Sequence, residues 1–190
     1  MTPASTNLFS PLLHRIKGRA EAGQWLRAMP ASRIRDLLDP HLSTRRGGRV
    51  NPPGSFPVLY AMADEDGCRP PLLSLPDDEP ETVIAVFSVS LSRVLDLADP
   101  ALRRRLGVSL QDLLSSDEAR MSQAIGVAAY NEGFEAVIYP RPMNPKCRNL
   151  AIFSDRISSE NIRLLELRTP RRSPRPSGPR ESPRVDQGSG

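Results

Sequence analysis

Arg49, Asn51 and Tyr60 are the residues of this 190-residue chain best placed by type and spacing to do chemistry. They belong to residues 45–60, Arg-Arg-Gly-Gly-Arg-Val-Asn-Pro-Pro-Gly-Ser-Phe-Pro-Val-Leu-Tyr. Gly47, Gly48 and Gly54 permit positive φ and close backbone approach, while Pro52 and Pro53 fix φ and push Asn51 out of the helical region. The outcome is a stiff, irregular loop that presents Arg49 and Asn51 and runs into residues 56–60, which read as a strand entering a core. A guanidinium whose base is held still can bond an oxyanion in two places, so such a loop suits a phosphate or a carboxylate. The same composition also builds an ordinary surface turn with a solvated basic cluster.

The elements that would position these residues follow from local pattern. Residues 7–22 carry Leu8, Leu12, Leu13 and Ile16 on one helical face, with Pro11 near the start and Gly23 as the stop. Residues 24–29, with the chain's one tryptophan, read as a first strand, and Ser32 as the cap of a short helix over 33–38. Residues 61–80 lose all periodicity and read as a loop. Residues 82–89 are β-branched and continuous, a buried strand, followed by Val94-Leu95-Asp96-Leu97. Asp99-Pro100 opens a helix that Gly107 closes, and Ser109 caps a second over 110–114. Ser115 to Glu118 forms a capping box before a helix over 117–132 with Met121, Ile125, Ala128 and Ala129 on its apolar stripe and Gln123 beside it. Strands are expected over 134–139, 149–153 and 160–167, with a loop over 140–148. Several strands with helices between them and no strict βαβ rhythm argue for one α/β (α+β) domain.

Charge and composition remove several function classes. The net charge is +4, but from Arg168 onward six arginines face two acids, which leaves the preceding chain balanced. A nucleic-acid-binding domain carries its basic face on the folded unit, so direct nucleic-acid binding is not expected beyond weak, salt-sensitive contacts of the tail. Residues 169–190 hold five prolines and no aromatic residue, too little apolar surface to offset ordering, and read as disordered. Cys68 and Cys147, with His14 and His41 as the two histidines, give no zinc pattern, and no metal is expected. Free thiols fit a reducing compartment, and one disulfide between the two stays open. No apolar run approaches the roughly 18 residues that span a membrane and no signal-peptide layout opens the chain, so a cytoplasmic protein is expected.

Taken in order, Gly48-Arg49-Val50-Asn51-Pro52-Pro53-Gly54, Tyr60 eleven residues after Arg49, Val94-Leu95-Asp96-Leu97, Gln123 followed by Gly126, Gly133-Phe134 and Asn149-Leu150-Ala151-Ile152-Phe153 resemble the RES-domain family. These are toxin-like proteins of bacterial toxin-antitoxin pairs. The resemblance divides the chain into a helical extension over 1–23, a RES-like domain over 24–167 and an Arg/Pro-rich tail over 168–190. It implies a single ADP-ribosyltransferase-like domain, a mixed sheet with flanking helices. It further implies that NAD is bound and consumed as a substrate, by phosphorolysis or by transfer of its ADP-ribose to a protein. Arg49 then faces the diphosphate together with Arg27, for which Arg15 is a rival, Asn51 lies in the NAD-binding loop, and Tyr60 stands near the nicotinamide end as the catalytic candidate. The implied partner is an antitoxin with a helix-turn-helix domain, in a toxin-antitoxin complex or a homo-oligomer.

Two positions depart from the family pattern. The glutamate expected on a helix about eleven residues after the tyrosine falls on Pro71, in the acidic loop that holds Asp64, Asp66, Asp77 and Glu79. The serine expected after a proline is Arg141, which follows Pro140. A carboxylate beside the ribose offsets the positive charge of an oxocarbenium-like sugar, so its loss would cost on the order of 10² in rate. A catalytically degenerate module that binds NAD or a partner without turnover is the alternative reading.

Overall fold

The computed structural model describes residues 8–64, 82–115, 119–141 and 144–169. In chain order these form α1 (Ser10–Leu13), β1 (Arg19–Pro30), a 3-10 turn (Ala31–Asp36), α2 (His41–Arg46), β2 (Val58–Met62), β3 (Thr82–Asp96), α3 (Pro100–Leu106), α4 (Leu110–Leu114), α5 (Ala119–Asn131), β4 (Ala136–Arg141), β5 (Asn144–Phe153), a second 3-10 turn (Ser159–Asn161) and β6 (Ile162–Arg168).

The strands join in the order β1-β2-β5-β4-β3-β6, and β1 pairs β3 as well. That last pairing bends the sheet until five strands close a ring, with β6 added along the first half of β3. The sheet is mixed: β3 runs parallel to β4 from Val94 against Ala136, whereas β1–β3, β2–β5 and β4–β5 are antiparallel. Because side chains alternate across a strand, one residue in two from every strand points into the ring. Trp25, Leu59, Val89, Val94, Ile138 and Leu150 pack there in one cluster. The alternate residues, among them Val58, Leu95, Val137, Ala151 and Phe153, face outward and are covered by the helices through Leu13, Leu113, Ile125 and Ala128.

The helix termini follow the expected chemistry. Asp99 Oδ1 accepts from Ala101 N–H at 2.8 Å, and Gly107 ends α3 in the left-handed region at φ 67°. Ser109 and Asp112 form a reciprocal capping box on α4. On the outer face Phe56 stacks on Tyr130 with ring centroids 4.2 Å apart, and Phe153 meets Phe56 edge-on at 5.1 Å.

Several expectations need correction. The first helix is confined to Ser10–Leu13; the chain turns at Gly18 (φ 77°) and enters β1 at Arg19, so the boundary drawn at residue 23 falls inside a strand. Pairing of Arg19 to Pro30 with β3 overrides the local helical spacing. Residues 82–96 are one continuous strand rather than two pieces. The loop expected over 140–148 is strand at Pro140, Arg141 and residues 144–148, because Pro140 pairs Arg148 and Arg141 pairs Asn144. Arg168, assigned to the tail, closes β6. Helix α2 takes in Arg45 and Arg46 at the start of the expected stiff loop, and an uncapped 3-10 turn over Ala31–Asp36 stands where a Ser32-capped helix was expected. The capping box at 115–118, the acidic loop over 65–81 and the tail beyond Thr169 lie outside the described residues in whole or in part. No helix among the described residues is long and apolar enough to cross a membrane.

Candidate functional site

The loop between α2 and β2 is fixed by bonds from three elements. Gly48 N–H donates to Asn51 O at 2.8 Å and Gly54 N–H to Thr44 O at 2.7 Å, which closes the loop on itself and on α2. Asn51 is fully buried; its Nδ2 donates to Ser43 O (2.8 Å) and Phe56 O (3.1 Å). Its Oδ1 accepts from the Tyr60 hydroxyl at 2.6 Å, and that hydroxyl in turn accepts from Val50 N–H at 3.2 Å. From α5, Gln123 Nε2 donates to Gly48 O at 2.9 Å.

Two glycines are required by close approach. A Cβ on Gly48 would sit 2.6 Å from atoms of the Tyr60 ring, and one on Gly126 would collide with the backbone carbonyl of Val50. Gln123 and Gly126 therefore act together: the glycine lets α5 reach the loop backbone, and the amide one turn earlier holds it.

Held this way, Arg49 places its guanidinium against α4, where Nη2 donates to Leu113 O. Its Nε is buried and has no hydrogen-bond partner among the described residues. A buried donor left unpaired costs about 1–3 kcal/mol, and an incoming oxyanion would recover it. Tyr60 lies on β2 opposite Ala151, which is opposite Val137 on β4, so Tyr139, two residues further, shares the face of Tyr60. Burial, with Tyr60 nearby, pushes the Tyr139 hydroxyl far above the usual phenol range, and the fields of Arg49 and Arg141 pull it back. The outer face thus gathers two arginines and two tyrosines around the fixed loop.

Burial raises the Tyr60 hydroxyl to about 12, against the backbone N–H groups of Val50 and Asn51, which lower it. It is neutral at physiological pH, and its two hydrogen bonds, to Asn51 Oδ1 and from Val50 N–H, are made inside the protein. Asn51 is likewise committed: it shapes the loop and exposes nothing to a ligand. Arg27 is not brought to this cluster. Leu26 pairs with Met62 and packs with it, which puts Leu26 on the face of Tyr60 and Arg27 on the opposite one, with Trp25. Burial lowers the Arg27 pKa, and its charged neighbours are Arg33 and Asp39 of the 3-10 segment and the turn after it. Arg15, the rival, is exposed just beyond α1.

Sequence reasoning missed Tyr139 and Arg141 as members of the cluster. The alternation Ala136-Val137-Ile138-Tyr139 carried the signal, since Tyr139 falls in phase with Val137. The region where the family glutamate was sought lies within 65–81, outside the described residues.

The RES domain matches residues 13–172 of this chain. The chain belongs to the RES-domain family. A probable NAD(+) phosphorylase of Mycobacterium tuberculosis is 34% identical over 143 residues, 72% of this chain; the match spans 66% of that relative's length. A chain in the crystal structure of the M. tuberculosis MbcT-MbcA toxin-antitoxin complex shares the fold of this chain, with a TM-score of 0.71 at 23% identity over 86% of this chain and 92% of that one. The expected mixed α/β architecture is thereby borne out, and the Arg49 loop is part of a RES domain rather than an isolated surface turn.

Proposed function

We propose that this RES domain binds NAD at the Arg49 loop and breaks the bond between its ribose and nicotinamide, as the toxic partner of a toxin-antitoxin pair. The observation that carries the reading is the Arg49 guanidinium, carried by the fixed loop, bonded through Nη2 to Leu113 O and left with a buried Nε that has no partner among the described residues. A dinucleotide supplies the diphosphate that would pair with it, and the Tyr60 ring supplies an aromatic face for the nicotinamide end. A relative that is a probable NAD(+) phosphorylase supports this substrate. In the reaction nicotinamide leaves with the bonding electron pair and loses its positive charge. An oxygen of inorganic phosphate, or a protein side chain, takes the anomeric carbon through an oxocarbenium-like state. Likeness to a chain of the MbcT-MbcA toxin-antitoxin complex supports a protein antitoxin as partner; a helix-turn-helix domain in it is part of the same proposal.

A second reading, binding without turnover, is favoured by one observation. Among the described residues no carboxylate is a charged neighbour of Tyr60 or Tyr139, so an acid able to stabilise the sugar cation would have to come from elsewhere in the chain. The two readings separate when the purified full-length chain, free of antitoxin, is incubated with NAD in phosphate buffer and in phosphate-free buffer and the products are identified. Nicotinamide release that depends on phosphate establishes phosphorolysis; release in both buffers points to water or protein as acceptor. No release, with NAD still raising the melting temperature, contradicts the enzymatic reading.

A further inference from the structure

We propose that Arg141 is the second arm of a clamp that closes with Arg49 on phosphoryl oxygens, with the Tyr139 hydroxyl as a third donor between them. The inference rests on the reading that the cluster takes a nucleotide or its phosphate co-substrate, and it names the group that would hold it.

Three independent features of the chain converge there. First, strand alternation puts Arg141, two residues after Tyr139 in β4, on the face of Tyr139. Pro140 pairs Arg148, yet Arg141 pairs Asn144, so the ladder slips between the two. The extra residues, 145–147, lie on β5, so β4 stays regular through Arg141. The slip occurs two residues after Tyr139, whose hydroxyl lies within the field of Arg49 as well as of Arg141.

Second, the donors are uncommitted. Arg141 is half-buried and makes no ion pair among the described residues. Arg49 keeps an unpaired Nε. Tyr139 is 8% exposed, and its hydroxyl makes no hydrogen bond among the described residues, so it can donate to a ligand. Third, two guanidinium groups facing one buried tyrosine without a carboxylate partner repel each other in a medium less screening than water. An anion between them turns that repulsion into two charge-assisted forks. A solvated surface arginine would explain Arg141 alone, but not the orphaned Nε and the unbonded hydroxyl on the same face.

Two sources share this chemistry: the diphosphate of the dinucleotide and free inorganic phosphate. The test titrates the full-length chain with ADP-ribose and, separately, with inorganic phosphate, for the wild type and for Arg141→Ala, Arg141→Lys and Tyr139→Phe, with melting temperatures recorded without ligand. The clamp predicts that Arg141→Ala weakens one of the two ligands by about tenfold or more, that Arg141→Lys keeps part of the affinity as a point charge without the fork, and that Tyr139→Phe weakens the same ligand less. Weakening of ADP-ribose assigns the clamp to the diphosphate; weakening of phosphate alone assigns it to the co-substrate. Unchanged affinity for both in an Arg141→Ala or Arg141→Lys protein that melts like the wild type overturns the clamp and leaves NAD binding at Arg49 standing. A wild type that binds neither ADP-ribose nor NAD overturns both.

Discussion

The Tyr60 hydroxyl donates to Asn51 Oδ1 at 2.6 Å, and that one bond ties the strand at the base of the site to the loop that carries Arg49. Tyr60→Phe removes it and also leaves Val50 N–H without its acceptor. Two groups lose partners, one of them on a fully buried side chain, so the variant should lose about 1–3 kcal/mol of stability. Urea unfolding measures this, and a double-mutant cycle with Asn51→Ala should show a coupling of at least about 0.5 kcal/mol. Additive losses would mean that the bond does not hold the loop.

The contact between α5 and the loop leads to a prediction against helix propensity. Alanine in a helix interior is favoured over glycine by up to about 1 kcal/mol, so Gly126→Ala would stabilise a helix with open space around it. Here the added methyl meets the Val50 carbonyl, which belongs to the loop backbone and cannot rotate aside. Overpacking of this kind costs about 1–3 kcal/mol. The clash exceeds the propensity gain, and the variant should melt lower than the wild type.

Gln123 gives a graded test of the same joint. Its amide donates to Gly48 O at 2.9 Å. Gln123→Ala removes one neutral hydrogen bond, worth about 1 kcal/mol. Gln123→Glu sets a carboxylate against carbonyl oxygens, so it should destabilise more than alanine does and weaken NAD binding without touching an arginine. Equal effects of the two substitutions would show that Gln123 is not bonded to the loop backbone.

The fold should lose stability in alkali. Tyr60 titrates near 12 in the folded chain, against about 10 for a free phenol, and Tyr139 is shifted in the same direction. A raised folded pKa means that the native state holds its proton longer than the unfolded one does. The contribution is present in full below pH 10 and is lost as pH rises from about 10 to 12. Melting temperature should stay level through neutral pH and fall across that window, more shallowly in Tyr60→Phe. A fall that begins near pH 8 would need another group.

How much of this was legible beforehand depended on how local the determining interaction was. The caps at Asp99 and Ser109, the stop at Gly107 and the stiffness of the Arg49 loop could be read because each is settled within a few residues. The helix expected up to residue 22 failed because Arg19 to Pro30 is held by β3, some 60 residues away in the chain. The structure brings Tyr60 and the Arg49 loop together and sets Arg27 on the opposite face of the sheet. The face on which a strand residue emerges is set by register, and Leu26 against Met62 cannot be seen in either segment alone. The alternation in β4 put Tyr139 in phase with Val137, but which residues it meets across the sheet depends on β4 pairing β5, which neither segment shows alone.

The measurement that bears most directly on the account is nicotinamide release from NAD by the full-length chain in phosphate buffer, with Arg49→Ala run beside it. Removing the one guanidinium fixed by the loop takes away a charge-assisted fork, so the rate should fall by about 10² or more while the variant stays folded. Release that Arg49→Ala retains at the wild-type rate would contradict the assignment of the site to this loop.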